Sequence, residues 1–243
     1  MGFLSRKPKI GIEEFCQQFY DSQIFHAIIA GEDVWSGFLE TVFKSIAEVD
    51  QSFAIVDLAV FKREMTALRL ELFGLAWVYK FPCERFTIPQ IIFTRQYLER
   101  NGKLEIWDTM GEYNKDCAQS AFLTKTGEQM EGRAGRGRIT FVNTFRWGIF
   151  EKWAEANIGD PSAPTEEEKM LVSCVAHVVS RMLVDKRNLF KLLTARLADR
   201  LSCDPNLSAE ALLRLGAVIF VLYEGAMEAI KSVNLQVREP PTL

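Results

Sequence analysis

The chain predicts an all-α fold, an irregular and non-solenoid bundle of about eight helices, on three observations. Apolar side chains recur at i, i+3, i+4 and i+7 along most of its length, the spacing that lines one face of a helix. Residues that start and stop helices stand between those stretches. No segment alternates β-branched and polar residues with the two-residue period of a strand; Ile139 to Val142 comes nearest, and a lone strand has nothing to pair with.

The first helix follows Ile12, with Phe15, Cys16, Phe19, His26 and Ile29 on its stripe, and is expected to end near Gly31. Asp33 reads as the N-cap of a second, whose apolar face carries Trp35, Phe38, Leu39, Val42, Phe43 and Ile46. From Phe53 to Tyr79 the apolar arc widens: Leu58, Phe61, Met65, Leu68, Leu72 and Leu75 form one row, with Leu70, Phe73 and Trp77 beside it. A helix that broad in its apolar surface predicts a long central element, near residues 53–80, wrapped by the others. Pro82 stops it, because proline disfavours helical geometry in the residue before it.

The next helix is expected to start at Thr87-Ile-Pro-Gln90, a capping box with proline in the first turn. Asn101-Gly102 reads as its C-cap, and a further helix runs from Leu104 towards Phe122. Four glycines between Thr124 and Gly137 loosen the following stretch, each costing about 1 kcal/mol against alanine inside a helix. Helical spacing resumes over Ile139 to Ala156. Thr165-Glu-Glu-Glu168 is a second capping box, with acidic groups set against the positive end of the helix dipole. Leu171, Val175, Val178 and Met182 continue it, Asp185 to Asn188 interrupt it, and Leu189, Leu193 and Leu197 resume. The last helix opens at Ser208, and its middle, Leu215 to Tyr223, is apolar on all sides, which predicts burial all round.

At 243 residues the chain can form one domain spanning 1–243, with 157–164 as the fallback boundary. A 48% apolar and 25% charged composition is that of a globular protein, and a formal charge of −3 supplies no field to hold a polyanion, so bulk nucleic-acid binding is not expected. Five scattered cysteines without a CxxC pair predict reduced thiols, neither a disulfide framework nor a zinc site. Arg6 stands where a myristoylation signal wants Ser or Thr, and no apolar run approaches about eighteen residues, so a cytoplasmic protein without a transmembrane segment is expected.

Several constellations could carry chemistry. Glu105, Asp108, Glu112 and Asp116 share one helix face, and three of them, Glu105, Asp108 and Glu112, could hold magnesium through oxygen ligands. A second pair, Glu128 and Glu131, falls in the glycine-bearing stretch. The plainer account is the wet face of an amphipathic helix whose dry face is Ile106, Met110, Tyr113 and Cys117. Arg133, Arg136 and Arg138, interleaved with Gly132, Gly135 and Gly137, could meet an anion, although neither a Walker loop nor a strand-borne GxGxxG is present. His26 and His177 read as boundary or core histidines, and Cys174, three residues before His177, as an inert buried thiol. Trp107 and Trp147 are the aromatics left over to line a cavity.

No GxSxG, no HExxH and no di-iron motif occurs. The leading expectation is therefore a non-enzymatic protein with no cofactor, acting through contacts with a protein partner or a second copy. One alternative is a magnesium-dependent hydrolase of a phosphorylated small molecule or nucleotide, built on Glu105, Asp108 and Glu112 with the three arginines. Another is a helical sensor for an apolar small molecule.

Overall fold

The computed structural model describes residues 9–21, 34–81, 84–115, 165–170, 173–174, 181, 186–201, 207–231 and 234–236. In chain order they form β1 (Lys9–Gly11), α1 (Ile12–Tyr20), α2 (Val34–Ala47), a 3₁₀ turn (Phe53–Ile55), α3 (Leu58–Lys80) and α4 (Glu84–Arg100). Then come α5 (104–115), α6 (166–170), α7 (Lys186–Arg200), α8 (Ala209–Lys231) and β2 (Asn234–Gln236). Helices dominate, and the all-α class stands.

The 23-residue α3 buries fifteen of its residues. It packs against α2, α4 and α8, and α8 packs in turn on α2 and α7, while α1 lies on α4. Phe19 stacks on Phe73 with ring centroids 4.3 Å apart, and Phe15 stacks on Trp77 at 5.7 Å, fastening α1 to α3 as well. The helix starts later than the apolar pattern suggests. Phe53 is buried in the 3₁₀ turn, and Asp57 caps α3 by accepting from the backbone N–H groups of Ala59 (2.6 Å) and Val60 (3.3 Å).

The helix ends show the same economy. Gly102, at φ +65°, terminates α4 in a Schellman motif: Lys103 N–H reaches Leu98 O at 2.8 Å and Gly102 N–H reaches Glu99 O at 3.0 Å. A side chain at that φ would be strained, so glycine is required there. Thr165 and Glu168 close the expected capping box, with Thr165 N–H on Glu168 Oε2 (2.6 Å) and Glu168 N–H on Thr165 Oγ1 (3.2 Å). Ser208 caps α8 through Ala211 N–H at 3.1 Å, and Asp50 accepts from Ser208 N–H at 2.6 Å, tying the start of α8 to the loop after α2.

Three expectations are corrected. The helix after Pro82 starts at Glu84, a turn before Thr87, so Pro89 lies inside it; a proline there removes only one backbone bond near the helix start. Gln90 does not cap but donates from Nε2 to Tyr20 Oη (3.2 Å) and Thr94 Oγ1 (3.0 Å). A two-stranded parallel ladder pairs Lys9 with Asn234, Ile10 with Leu235 and Gly11 with Gln236, where no strand was expected; three residues are too few to show a period. Finally, the apolar middle of α8 is not buried all round, for Ala217, Phe220 and Val221 face outwards.

The expected end of the first helix at Gly31, the Asp33 cap, the glycine-bearing stretch, the helix over 139–156 and the 157–164 joint lie outside the described residues. Among the described residues, no helix is long and apolar enough to cross a membrane.

Candidate functional site

Where α2, the first half of α3 and the start of α5 meet, they leave a cavity of about 370 Å³. Trp35 and Leu39 of α2, Ala59 of α3 and Ile106 of α5 supply its apolar wall. Ser36, Thr66, Lys62, Arg63, Lys103 and Glu105 supply the polar part. All but Lys103, which stands between α4 and α5, are carried by helices. The Trp35 indole is edged by Thr66, with Nε1 3.4 Å from Oγ1; the Arg69 guanidinium lies over the ring at 4.3 Å, and Phe38 stacks on it with centroids 5.5 Å apart. Thr66 Oγ1 donates to Lys62 O at 2.8 Å, the back-bond expected of a threonine within a helix.

The three cations differ in how far they are already satisfied. Lys62 Nζ donates to Ser36 Oγ (2.7 Å) and Glu40 Oε1 (2.6 Å), and that ammonium holds the Glu40 carboxyl below its ordinary value. Arg63 stands 3.6 Å from Glu64, and Lys103 3.9 Å from Glu105, both too far for a hydrogen bond. Glu64 also has better partners. Arg200 of α7 grips it with Nε on Oε2 (2.6 Å) and Nη2 on Oε1 (3.2 Å), and Tyr113 of α5 donates to Oε2 at 3.0 Å. Arg200 rises above its ordinary value chiefly because of its bond to Glu64, and Tyr113 rises through burial and the same carboxylate.

Two turns further along α3, Glu71 is fully buried and makes a second such centre. Arg181 donates to it twice, Nε to Oε1 at 3.0 Å and Nη2 to Oε2 at 2.6 Å, and Asn114 Nδ2 adds a third bond at 3.0 Å. The guanidinium lies directly over Gly74, where any Cβ would overlap Cζ, Nη1 and Nη2, and Arg181 Nη1 is buried without a hydrogen-bond partner among the described residues. Nearby, Tyr20 Oη and Thr94 Oγ1 share a 2.6 Å bond in the core.

Of the residues singled out in the sequence, Glu105, Asp108 and Glu112 are all exposed along α5, with Ile106, Met110 and Tyr113 buried opposite them. Glu105 lines the cavity; Glu112 accepts from Arg200 Nη1. Among the described residues no group of three His, Cys, Asp or Glu side chains could hold a metal ion. Trp107 is buried in the core, and Cys174 is buried as a free thiol. Arg133, Arg136, Arg138, Asp116, Glu128, Glu131, His26, His177 and Trp147 lie outside the described residues.

The buried pairs were not picked out from the sequence, although two signals were present. Glu64 and Glu71 stand seven apart among the apolar residues of α3, and Arg181 interrupts the apolar run Val175 to Val184. The cavity cations Lys62, Arg63 and Lys103 gave none.

A different feature occupies the outer side of α8. Leu213, Ala217 and Phe220 follow i, i+4, i+7 spacing with Val221 beside them, and Leu213, Phe220 and Val221 are 72%, 50% and 59% exposed. Phe220 touches Phe190 of α7 edge-on at 5.5 Å, which fixes its ring while leaving its outer half bare. Compared with protein-family models, curated proteins and solved structures, the chain shows no match.

Proposed function

We propose that the chain is a non-enzymatic helical protein acting through protein contacts, and that its docking surface is the outer face of α8, covered by the same face of a second copy. The observation that carries this is the stripe of Leu213, Ala217, Phe220 and Val221, a row of apolar side chains on a helix whose other side already fills the core.

A second copy fits by charge and symmetry. If two α8 helices pair antiparallel about a two-fold axis between residues 220 and 221, residue i of one copy faces residue 441 − i of the other. Phe220 then meets Val221 at the centre. Glu210 meets Lys231 at both ends, since 210 + 231 = 441, so opposite charges flank the apolar middle. By the same rule Leu213 and Ala217 of one copy lie over the side-chain methylenes of Glu228 and Glu224 of the other, and Arg214 stands beside both carboxylates. In the single chain Glu210 pairs with Arg214 at 2.6 Å and Glu228 with Lys231 at 2.7 Å, exposed pairs of little net strength that can exchange partners.

Light scattering across a concentration series tests the proposal. Wild type is expected to move from one chain mass to two, Phe220→Glu to stay at one while keeping its helical circular dichroism, and Lys231→Glu to weaken the pair until Glu210→Lys restores it. A single-chain mass at every concentration would sink the proposal, as would failure of the charge swap to restore pairing.

A further inference from the structure

From the cavity between α2, α3 and α5 we infer a binding site for a small anion with a flat apolar body, an aryl phosphate or aryl carboxylate. The inference is independent of the α8 surface, being carried by different residues on different helices.

Three observations converge on this chemistry. At about 370 Å³ the space lies within the range of roughly 300–1,000 Å³ usual for small-molecule sites. Its wall is the part of one indole left by Arg69 and Phe38, together with Leu39, Ala59 and Ile106, an apolar lining for the body of a small ligand. Its polar part carries three cations, Lys62, Arg63 and Lys103, against one carboxylate, Glu105.

Their state of satisfaction decides the sign of the ligand. Lys62 is spent on Glu40 and Ser36. Arg63 is not needed by Glu64, which already accepts Arg200 and Tyr113, and among the described residues Lys103 has only a carboxylate 3.9 Å away. Those two keep donors for an incoming oxyanion, and guanidinium is suited to the two oxygens of a phosphate or carboxylate. Lys103 is also well placed to hold its position, because the Schellman motif that ends α4 fixes its backbone N–H to Leu98 O at 2.8 Å. Glu105 on the same side disfavours a trianion and leaves room for a single phosphate or carboxylate group.

The test is titration of the full chain with phenyl phosphate, phenylacetate and benzyl alcohol. The readout is the Trp35 indole N–H resonance, assigned by its loss in Trp35→Phe. Saturable shifts are expected with both anions, the comparison between them separating phosphate from carboxylate recognition, and benzyl alcohol is expected to bind at least about tenfold more weakly. Lys103→Glu and Arg63→Glu should each weaken the preferred anion by about tenfold without changing the weak binding of the alcohol, while Lys191→Glu, exposed on α7, should change neither. No Trp35 shift with either anion up to about 10 mM, equal binding of alcohol and anion by wild type, or indifference to both reversals would overturn the inference. The comparison of ligands on wild type stands even if a variant fails to fold.

Discussion

Replacing Arg181 by methionine should be among the most damaging single changes available in the described core. Glu71 accepts three hydrogen bonds there, two of them from Arg181, and neither side chain of the pair is exposed to any degree. Arg181→Met removes the charge partner and leaves a carboxylate facing one neutral amide, and a buried ion stripped of its partner costs about 3–5 kcal/mol. For a chain of this length each kcal/mol is worth roughly 2–4 °C, so Tm should fall by about 10 °C. Glu71→Gln with Arg181→Met removes both charges but keeps an acceptor for Asn114, and should recover most of the loss, giving a coupling of about 2 kcal/mol or more in the double-mutant cycle. Gly74 supplies an independent arm. Alanine there would collide with the guanidinium, so Gly74→Ala should destabilise wild type, yet in the Arg181→Met background it should become neutral or stabilise by about 0.5–1 kcal/mol, the ordinary gain of alanine over glycine in a helix. Urea unfolding curves measure all six proteins, Glu71→Gln alone included. A loss under about 1 kcal/mol for Arg181→Met, or a Gly74→Ala effect of the same sign and size in both backgrounds, would refute the account.

Gly37 of α2 and Gly225 of α8 are helical glycines with open space where a Cβ would go, so Gly37→Ala and Gly225→Ala should each add about 0.5–1 kcal/mol in the same urea assay, opposite in sign to Gly74→Ala. Burial raises the Cys174 thiol to about 11, and Cys16 is raised further, again mainly by burial. Because the folded thiol holds its proton more tightly than the unfolded one, the stability Cys174 contributes is intact below the unfolded value and disappears as pH climbs through about 11. Wild type should therefore lose more stability than Cys174→Ala between about pH 8.5 and 11, and peptide mapping after iodoacetamide treatment at about pH 8 should find Cys16 and Cys174 unmodified until urea unfolds the chain.

Local physics made most of the described helices legible. The α4 stop at Asn101-Gly102, the Thr165 capping box and the Ser208 cap each depend on residues within six positions of one another, so the sequence contains the whole interaction. The apolar rows of α1, α2 and α3 are equally local, and their members are largely buried. What could not be read is what depends on distance along the chain. Glu71 finds Arg181 across 110 positions and Glu64 finds Arg200 across 136, and nothing near either carboxylate names its partner. The β ladder joins residues near the two ends and is shorter than any detectable period. The cavity was hidden for a third reason: Trp35 lies on a core stripe and is mostly buried, so its role as a wall appears only once α5 arrives beside it.

The two carboxylates of α3 do something that apolar packing alone does not. Leucines slide past one another at small cost, whereas a carboxylate gripped by a guanidinium fork loses both hydrogen bonds if the facing helix shifts by one turn. Glu64 and Glu71, seven residues apart, therefore act as two index marks on one helix. Tyr113 and Asn114 of α5 bind the two marks, and Arg200 and Arg181 bind them from the C-terminal part of the chain. Because consecutive residues of α5 satisfy marks separated by two turns of α3, only one placement of α5 on α3 serves both. That placement fixes Ile106 and Lys103 relative to Trp35 and Arg63, and so fixes the cavity. The buried charges thus connect to the proposed binding site through geometry: Glu64, held from the inside by Arg200 and Tyr113, is the reason Arg63 on the outside has donors to spare.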